Sequence, residues 1–335
     1  MIADSPIDLV FLWCDDADER WHAKRTEAAR RCGLTDDGYV NGACRYAGRN
    51  DLKYALRSVE MHVPWVRNVI VVMDRDISAP AWLDERAPRL RIVRLDEIMP
   101  AEFLPCFCSD TMEHFLARIP GLSERFLYAN DDMMFYKDTS PSFFFAPDGW
   151  PYFRFGGRRR AAPAGRKRMY YLNLENAERL IAAEFRMKSG LNSPFGRSPH
   201  HNVDAYCRSD MLACHERFRD VIERRADYPF RHDDNIQRHV YALYSIATGH
   251  GHFRRARFNT GSGNPFLSLL PSRADSLQFS KWRSGLTKLE RFKPNLFCFN
   301  DTIGISDDDR DWLEKSVYRK LFPGPSSFER PEVTT

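Results

Sequence analysis

The sequence predicts an α/β fold with a mostly parallel sheet, and three observations lead there. Short apolar runs of strand length recur at residues 7–13, 69–73, 90–95 and 125–129. Helical stretches lie among them: 19–32, rich in Ala, Arg and Glu; 51–62, with apolar residues at helical spacing; and 109–118. Strands that alternate with helices pair in parallel, because each crossover carries the chain back over the sheet. Polar groups also stand where three of the runs end: Asp15, Asp74 and Asn130-Asp131-Asp132. In such sheets, ligands bind at the loops beyond the carboxyl ends of the strands.

In chain order, Ile7-Asp8-Leu9-Val10-Phe11-Leu12-Trp13 breaks abruptly into Cys14-Asp15-Asp16-Ala17-Asp18, which reads as a buried strand ending in an acidic loop. The Ala-, Arg- and Glu-rich helix after it stops at Gly33. Leu52, Ala55, Leu56 and Val59 give the second helix one apolar face, and Pro64 closes it. Val69-Ile70-Val71-Val72-Met73 then forms a strand ending at Asp74. Beyond residue 145 the composition changes: a Gly/Arg/Pro stretch at 156–168 precedes three predicted helices at 174–188, 203–225 and 235–248. The apolar strand Leu296-Phe297-Cys298-Phe299 leads into Asn300-Asp301, and a last helix is predicted over 307–321. Three segments result: a core over 1–150, a basic loop and helical insert over 151–260 on the lid or acceptor side, and 261–335 returning to complete the site.

At 335 residues and 43% hydrophobic, the chain is long enough for one large domain, or a core domain with a substantial insert. No stretch approaches the roughly 20 apolar residues of a bilayer span. The start lacks a basic region followed by a long apolar one, so the expectation is a cytoplasmic protein, with any membrane or export-machinery contact peripheral at the inner face. Eight cysteines are spread too thinly for a disulfide scaffold and are expected to be reduced; the spacing of Cys106, Cys108, Cys207, Cys214 and His215 matches no ordinary zinc framework. A net charge of +4 and a pI near 8.6 suit phosphorylated substrates better than nucleic acid.

The most informative segment is Asn130-Asp131-Asp132, flanked by Phe126-Leu127-Tyr128-Ala129 and Met133-Met134-Phe135. Adjacent carboxylates between apolar flanks are costly to bury without a counter-charge. A divalent cation, Mg²⁺ or Mn²⁺, would relieve that cost while sharing its remaining positions with water and phosphate oxygens. The plainer reading is a surface turn whose side chains satisfy backbone groups. His200-His201 with Asp204 and Arg208, and Arg231-His232-Asp233-Asp234, form two further polar clusters. Imidazole can act as a general base and guanidinium can grip phosphate oxygens with two bonds, although both clusters also read as ordinary helix starts. The basic run over 154–168 is either a solvated loop or a contact for a polyanionic chain or anionic membrane surface.

These segments, in this order, resemble the Stealth family of hexose-1-phosphoryl transferases over nearly the whole chain. Residues 7–15 look like its first conserved region, and 51–60 through Pro64-Trp65-Val66 like its second. The string from Ile119-Pro120-Gly121-Leu122 to Asn130-Asp131-Asp132 is the most specific match. The third region's histidine is placed at His201, beside His200, with Arg208 after it and Arg231 downstream. Phe297-Cys298-Phe299-Asn300-Asp301 resembles the fourth region, and Leu321-Phe322-Pro323 with Pro325-Ser326-Ser327-Phe328-Glu329 the closing segment. Gly48-Arg49 and Cys108 depart from the usual pattern, which bears on donor choice.

The resemblance implies a Rossmann-like (GT-A-like) core with a helical insert that binds a UDP-sugar such as UDP-GlcNAc. It implies transfer of sugar-1-phosphate to a hydroxyl of a saccharide or polysaccharide acceptor during surface polysaccharide synthesis, with a phosphodiester formed and UMP released. In that scheme Asp131 and Asp132 hold the metal and diphosphate, Arg231 the phosphoryl oxygens, and His201 deprotonates the acceptor. Asp15, Asp18, Asn50, Arg57, Asn130, Asn300 and Asp301 bind substrate, with Arg57 equally readable as a structural helix residue. The rivals are a metal-dependent glycosyltransferase that attacks the sugar carbon and releases UDP, and a polysaccharide-binding relative without turnover.

Overall fold

The computed structural model describes residues 5–35, 41–47, 49–159, 168–188, 190, 192–256, 276–279, 282–300 and 305–331. Its strands are β1 (Ile7–Leu12), β2 (Val69–Met73), β3 (Leu90–Arg94), β4 (Arg125–Asn130), β5 (Met133–Phe135), β6 (Tyr152–Arg158), β7 (Arg197–Pro199), β8 (Asp204–Cys207), β9 (His252–Arg255), β10 (Ser276–Phe279) and β11 (Leu296–Phe299). The central sheet has the order β3-β2-β1-β4-β8, parallel throughout except for β8, which runs antiparallel to β4. The α/β class with a mostly parallel sheet is therefore the observed one.

β1 and β2 are buried along their whole length, as strands covered on both faces must be. Their side chains alternate between two cores. Leu9, Phe11, Val69 and Val71 pack with Leu52 and Val59, whereas Val10, Leu12, Ile70 and Val72 pack with Phe115 and Val240. Helix α1 (Glu19–Arg31) begins at Asp18, whose carboxylate accepts the backbone N–H groups of Arg20 and Trp21. Helix α2 (Asp51–His62) buries the predicted face of Leu52, Ala55, Leu56 and Val59.

The helix predicted over 203–225 is corrected: Asp204–Cys207 is the strand β8, and helix begins only at Arg208, running to Arg217 with a separate turn at Arg219–Ile222. The cause is tertiary pairing, with Tyr128 opposite Asp204 and Arg125 opposite Cys207. A period-2 signal was present, because Val203 and Ala205 face one core and Tyr206 the other. The middle segment thus supplies an edge strand of the central sheet as well as helices. The start of its Gly/Arg/Pro stretch is also a strand: β6 reaches Arg158, pairing antiparallel with β7 and parallel with β9. The predicted helix over 109–118 is a short α-turn, Ser109–Met112, continued by the 3-10 stretch Glu113–Arg118. The longer of the other helices among the described residues are Arg168–Phe185, His239–Thr248, Trp282–Phe292 and Asp307–Leu313, the last continued by a π-helical stretch over Glu314–Tyr318. All eight cysteines are free thiols. No helix among the described residues is long and apolar enough to cross a membrane.

Candidate active site

β1 and β4 end side by side, with Leu12 level with Asn130, so Cys14 and Asp15 emerge next to Asp131 and Asp132. The chain turns at those two carboxylates directly into β5, whose three side chains are all buried, so the turn is anchored from both sides. β5 pairs antiparallel with β11, setting Cys298 opposite Met133. That register brings the Cys298 thiol to 3.0 Å from Asp132 Oδ2, to which it donates. His201, two residues beyond β7, arrives from a third direction. Ligand atoms of Asp132, His201 and Cys298 lie within 4.8 Å of one another.

The electrostatics at this point are those of crowded anions. Burial, Asp132 and Asp51 push the Asp131 carboxyl well above its ordinary range. Burial and Asp132 likewise raise the Cys298 thiol, which keeps its proton, and burial followed by Asp131 raises Cys14. Asp51, the first residue of α2, was missed as a site residue in the sequence because it reads as an ordinary helix-start acid. A carboxylate, an imidazole and a thiol with further acids beside them fit a divalent cation. The carboxylate oxygens suit Mg²⁺ or Mn²⁺ and the imidazole adds a nitrogen donor, while the protonated Cys298 thiol stands beside the ligands as a hydrogen-bond donor to Asp132.

A buried polar network holds the surrounding groups. Arg238 donates to Asp204 Oδ2 at 2.7 Å and to Glu113 Oε1 at 3.1 Å, and lies over the Tyr128 ring. The Tyr128 hydroxyl is 2.9 Å from Glu113 Oε1 and 2.7 Å from Asn130 Oδ1, which ties the network to the acidic turn. Its other end is His200, buried, with Nε2 2.7 Å from Asp204 Oδ1. Although burial works against it, His200 and Arg238 hold Asp204 down to about 2, whereas burial pushes Glu113 up to about 7. His200 is thereby committed to the network. His201 is not: burial, Arg238 and His200 lower its imidazole to about 4, so it is neutral at physiological pH and able to accept a proton or ligate a cation.

The other predicted residues are placed as follows. Arg231 donates through Nε to Asp110 Oδ2 (3.1 Å) and through Nη2 to Ser109 Oγ (2.7 Å), with neighbouring Phe230 stacked on Phe107. One edge of its fork is thus spent on the start of the Ser109–Met112 turn. Asp18 has both oxygens occupied, one capping α1 and the other accepting the Ser78 N–H at 3.0 Å. Asp15 accepts the Ala17 N–H at 3.0 Å. Asn50 donates to Glu314 at 3.1 Å and lines a small recess with Arg49, Asp51, Trp282 and Arg310. Arg57 is bidentate to Glu329 (2.7 and 2.6 Å) and reaches the Phe322 carbonyl, tying α2 to the closing segment. The Asn300 carbonyl accepts the Trp282 indole N–H at 3.1 Å. Asp301 lies outside the described residues.

The family model that matches is that of Stealth protein CR2, conserved region 2, over residues 45–153. An exopolysaccharide phosphotransferase of Streptomyces coelicolor is 32% identical over 98% of this chain and 53% of its own length. The chain belongs to the Stealth family. A second Streptomyces coelicolor exopolysaccharide phosphotransferase is 31% identical to this Stealth chain over 97% of the chain and 52% of the relative. This chain therefore spans about half the length of these curated relatives. The receptor polysaccharide phosphotransferase WefC of Streptococcus oralis is 28% identical, over 96% of this chain and 99% of its own. Among solved structures, the galactosyltransferase LgtC in complex with donor and acceptor sugar analogs is 15% identical over 97% of this chain and 98% of that one, with a TM-score of 0.45.

Proposed function

We propose that this Stealth chain transfers a sugar-1-phosphate from a UDP-sugar, such as UDP-GlcNAc, to a hydroxyl of a saccharide acceptor in surface polysaccharide synthesis. The observation that carries the reading is the meeting of Asp132, His201 and Cys298 at the strand ends, in a chain whose relatives are named polysaccharide phosphotransferases. The acceptor oxygen attacks the β-phosphorus, and the bond from that phosphorus to the bridging oxygen breaks. UMP leaves with the bridging oxygen, and the anomeric C–O bond stays intact. Such a step depends on positioning and on neutralising charge rather than on covalent chemistry by the protein.

His201 takes the acceptor's proton, and its neutral state fits that role. Asp131 and Asp132 would hold a divalent cation, which supplies positive charge against the diphosphate oxygens. Asn130 is held rigid by Tyr128 and offers its amide to the substrate. Arg231 presents the rest of its guanidinium to phosphoryl oxygens from its anchorage on Asp110. Asp15, Asn50, Asn300 and Asp301 remain the proposed rim for nucleotide and sugar. Asp18 and Arg57 are left out of that rim, because their polar atoms serve the fold.

The deciding experiment incubates the protein with a panel of UDP-sugars, Mg²⁺ or Mn²⁺ and saccharide acceptors, then identifies the nucleotide released and records phosphorus NMR of the product. UMP with a phosphodiester is the expected result. UDP with a plain glycosidic bond would make the chain a glycosyltransferase, and donor or glycan binding without turnover would make it a binding relative.

A further inference from the structure

The small sheet β7-β6-β9 carries arginines that the site described above does not use. Register sets Arg158 of β6 opposite Arg197 of β7, and Arg255 of β9 beside Phe155 of β6. Arg158 and Arg255 are exposed, whereas Arg197 is buried behind them with Nε on the Ser193 carbonyl (3.0 Å) and Nη1 on that of Gly156 (3.3 Å). Burial lowers the Arg197 pKa, and Arg255 and Arg158 lower it further, which marks these as cations close enough to repel. The carboxylate nearest in the fold, Glu178, is taken by Arg159 at 2.6 Å and by the Gly196 N–H at 3.0 Å. Like charges gathered on one sheet are stabilised when an anion comes between them, and the guanidinium fork matches phosphate oxygens.

The sheet's position says what kind of anion. β7 ends at Pro199 and runs straight into His200 and His201, and the His200 N–H donates to the Arg154 carbonyl of β6 at 3.0 Å. At roughly 3.3 Å per extended residue, Arg197 stands within about 13 Å of His201. An anion held at this sheet is therefore close to the point where an acceptor hydroxyl would react. Nearness to His201 favours an acceptor chain over a bilayer, because only the acceptor has to reach that point.

We propose that Arg158 and Arg255, backed by Arg197, bind a phosphodiester group already present in the acceptor glycan, and so hold its free end toward His201. The inference rests on the phosphotransfer reading for the origin of that phosphodiester, but its test does not need turnover. A fluorescently labelled synthetic poly(glycerol phosphate) oligomer and a neutral dextran oligomer of equal length are titrated against wild-type protein, Arg158→Ala/Arg255→Ala and Arg158→Lys/Arg255→Lys, without donor. The polyanion should bind wild type, more weakly as salt rises, and lose about tenfold or more in affinity in the double-alanine variant, with partial recovery in the double-lysine one. Dextran binding and transfer to a short uncharged acceptor should not change. Equal polyanion binding by wild type and the double-alanine variant would overturn the proposal. So would unchanged polyanion binding together with lost binding to phosphatidylglycerol vesicles, which would assign the patch to a membrane. If polyanion binding follows the proposal but no UMP is ever formed, the phosphotransfer reading fails while the binding surface stands.

Discussion

At the end of β2, the Asp74 carboxylate is met by Lys24, whose Nζ lies 2.8 and 2.9 Å from its two oxygens. At the end of β4, two strands away in the same sheet, the charged groups acting most strongly on Asp131 are Asp132 and Asp51, both anions. The first strand end has its counter-charge built in from α1, so it is an electrostatically finished part of the fold. The second accumulates like charge, which costs stability and is relieved by something that binds. Equivalent positions in one sheet thus separate into scaffold and site by which neighbours the surrounding helices deliver.

The largest test of that contrast is substitution at both ends. Asp131→Asn and Asp132→Asn should each lower transfer on the order of 10²-fold or more, with melting temperature unchanged or, for Asp131→Asn, raised by relief of repulsion. Asp74→Asn should do the reverse, costing about 1–3 kcal/mol of stability because Lys24 loses a buried partner, while transfer stays within a few-fold. An inactive but fully stable Asp74→Asn protein would erase the distinction.

Cation addition sharpens it. Mn²⁺ at 100 times its dissociation constant should stabilise the wild-type protein by about 2.7 kcal/mol and Asp132→Asn much less, measured by calorimetry with elemental analysis of the apo protein. EDTA should abolish turnover. Full activity in chelator would remove the cation from the scheme.

His201 comes next. His201→Ala should cut kcat strongly and leave the Mn²⁺-induced shift in place if the imidazole is the base; loss of that shift would make it a ligand instead. Because the folded imidazole sits at about 4 rather than at 6.5, it stays neutral and competent as pH falls through 6. Transfer should be lost only as pH approaches about 4, and an acid limb near 6.5 in the rate profile would exclude this histidine as the base. His200→Ala should be milder in kcat and worse in stability, since it empties one side of the Asp204 network.

The smallest effect on activity belongs to Arg57. Arg57→Ala should leave transfer within about twofold while costing about 1–3 kcal/mol, because the buried Glu329 carboxylate loses its bidentate partner and keeps only Lys53 and Ser326. A thermal melt paired with a rate measurement checks it. Strongly weakened donor binding would return Arg57 to the substrate rim.

Much of the site was legible in local pattern. The buried runs of β1 and β2 and the helical spacing of α2 specify their elements through their own apolar periodicity, and the carboxylates of Asn130-Asp131-Asp132 follow directly in the chain from a strand that pattern reveals. The two histidines were visible as a pair, but their division of labour was not. The chain bends at His201, just past β7, and one of them enters the Asp204 network while the other reaches the acidic turn. Which is which depends on how β8 registers against β4.

The sequence by itself therefore determined the alternating α/β core and the acidic strand end, because those follow from hydrophobic period and chain order. Only the tertiary structure decided that Cys298 donates to Asp132, that Asp51 adds its charge, that β8 is a strand, that Arg57 pairs with Glu329 and that Asp18 accepts the Ser78 N–H. Each of these is a contact between residues far apart in the chain. Its energy depends on strand register and burial, which neighbouring residues in the sequence do not encode.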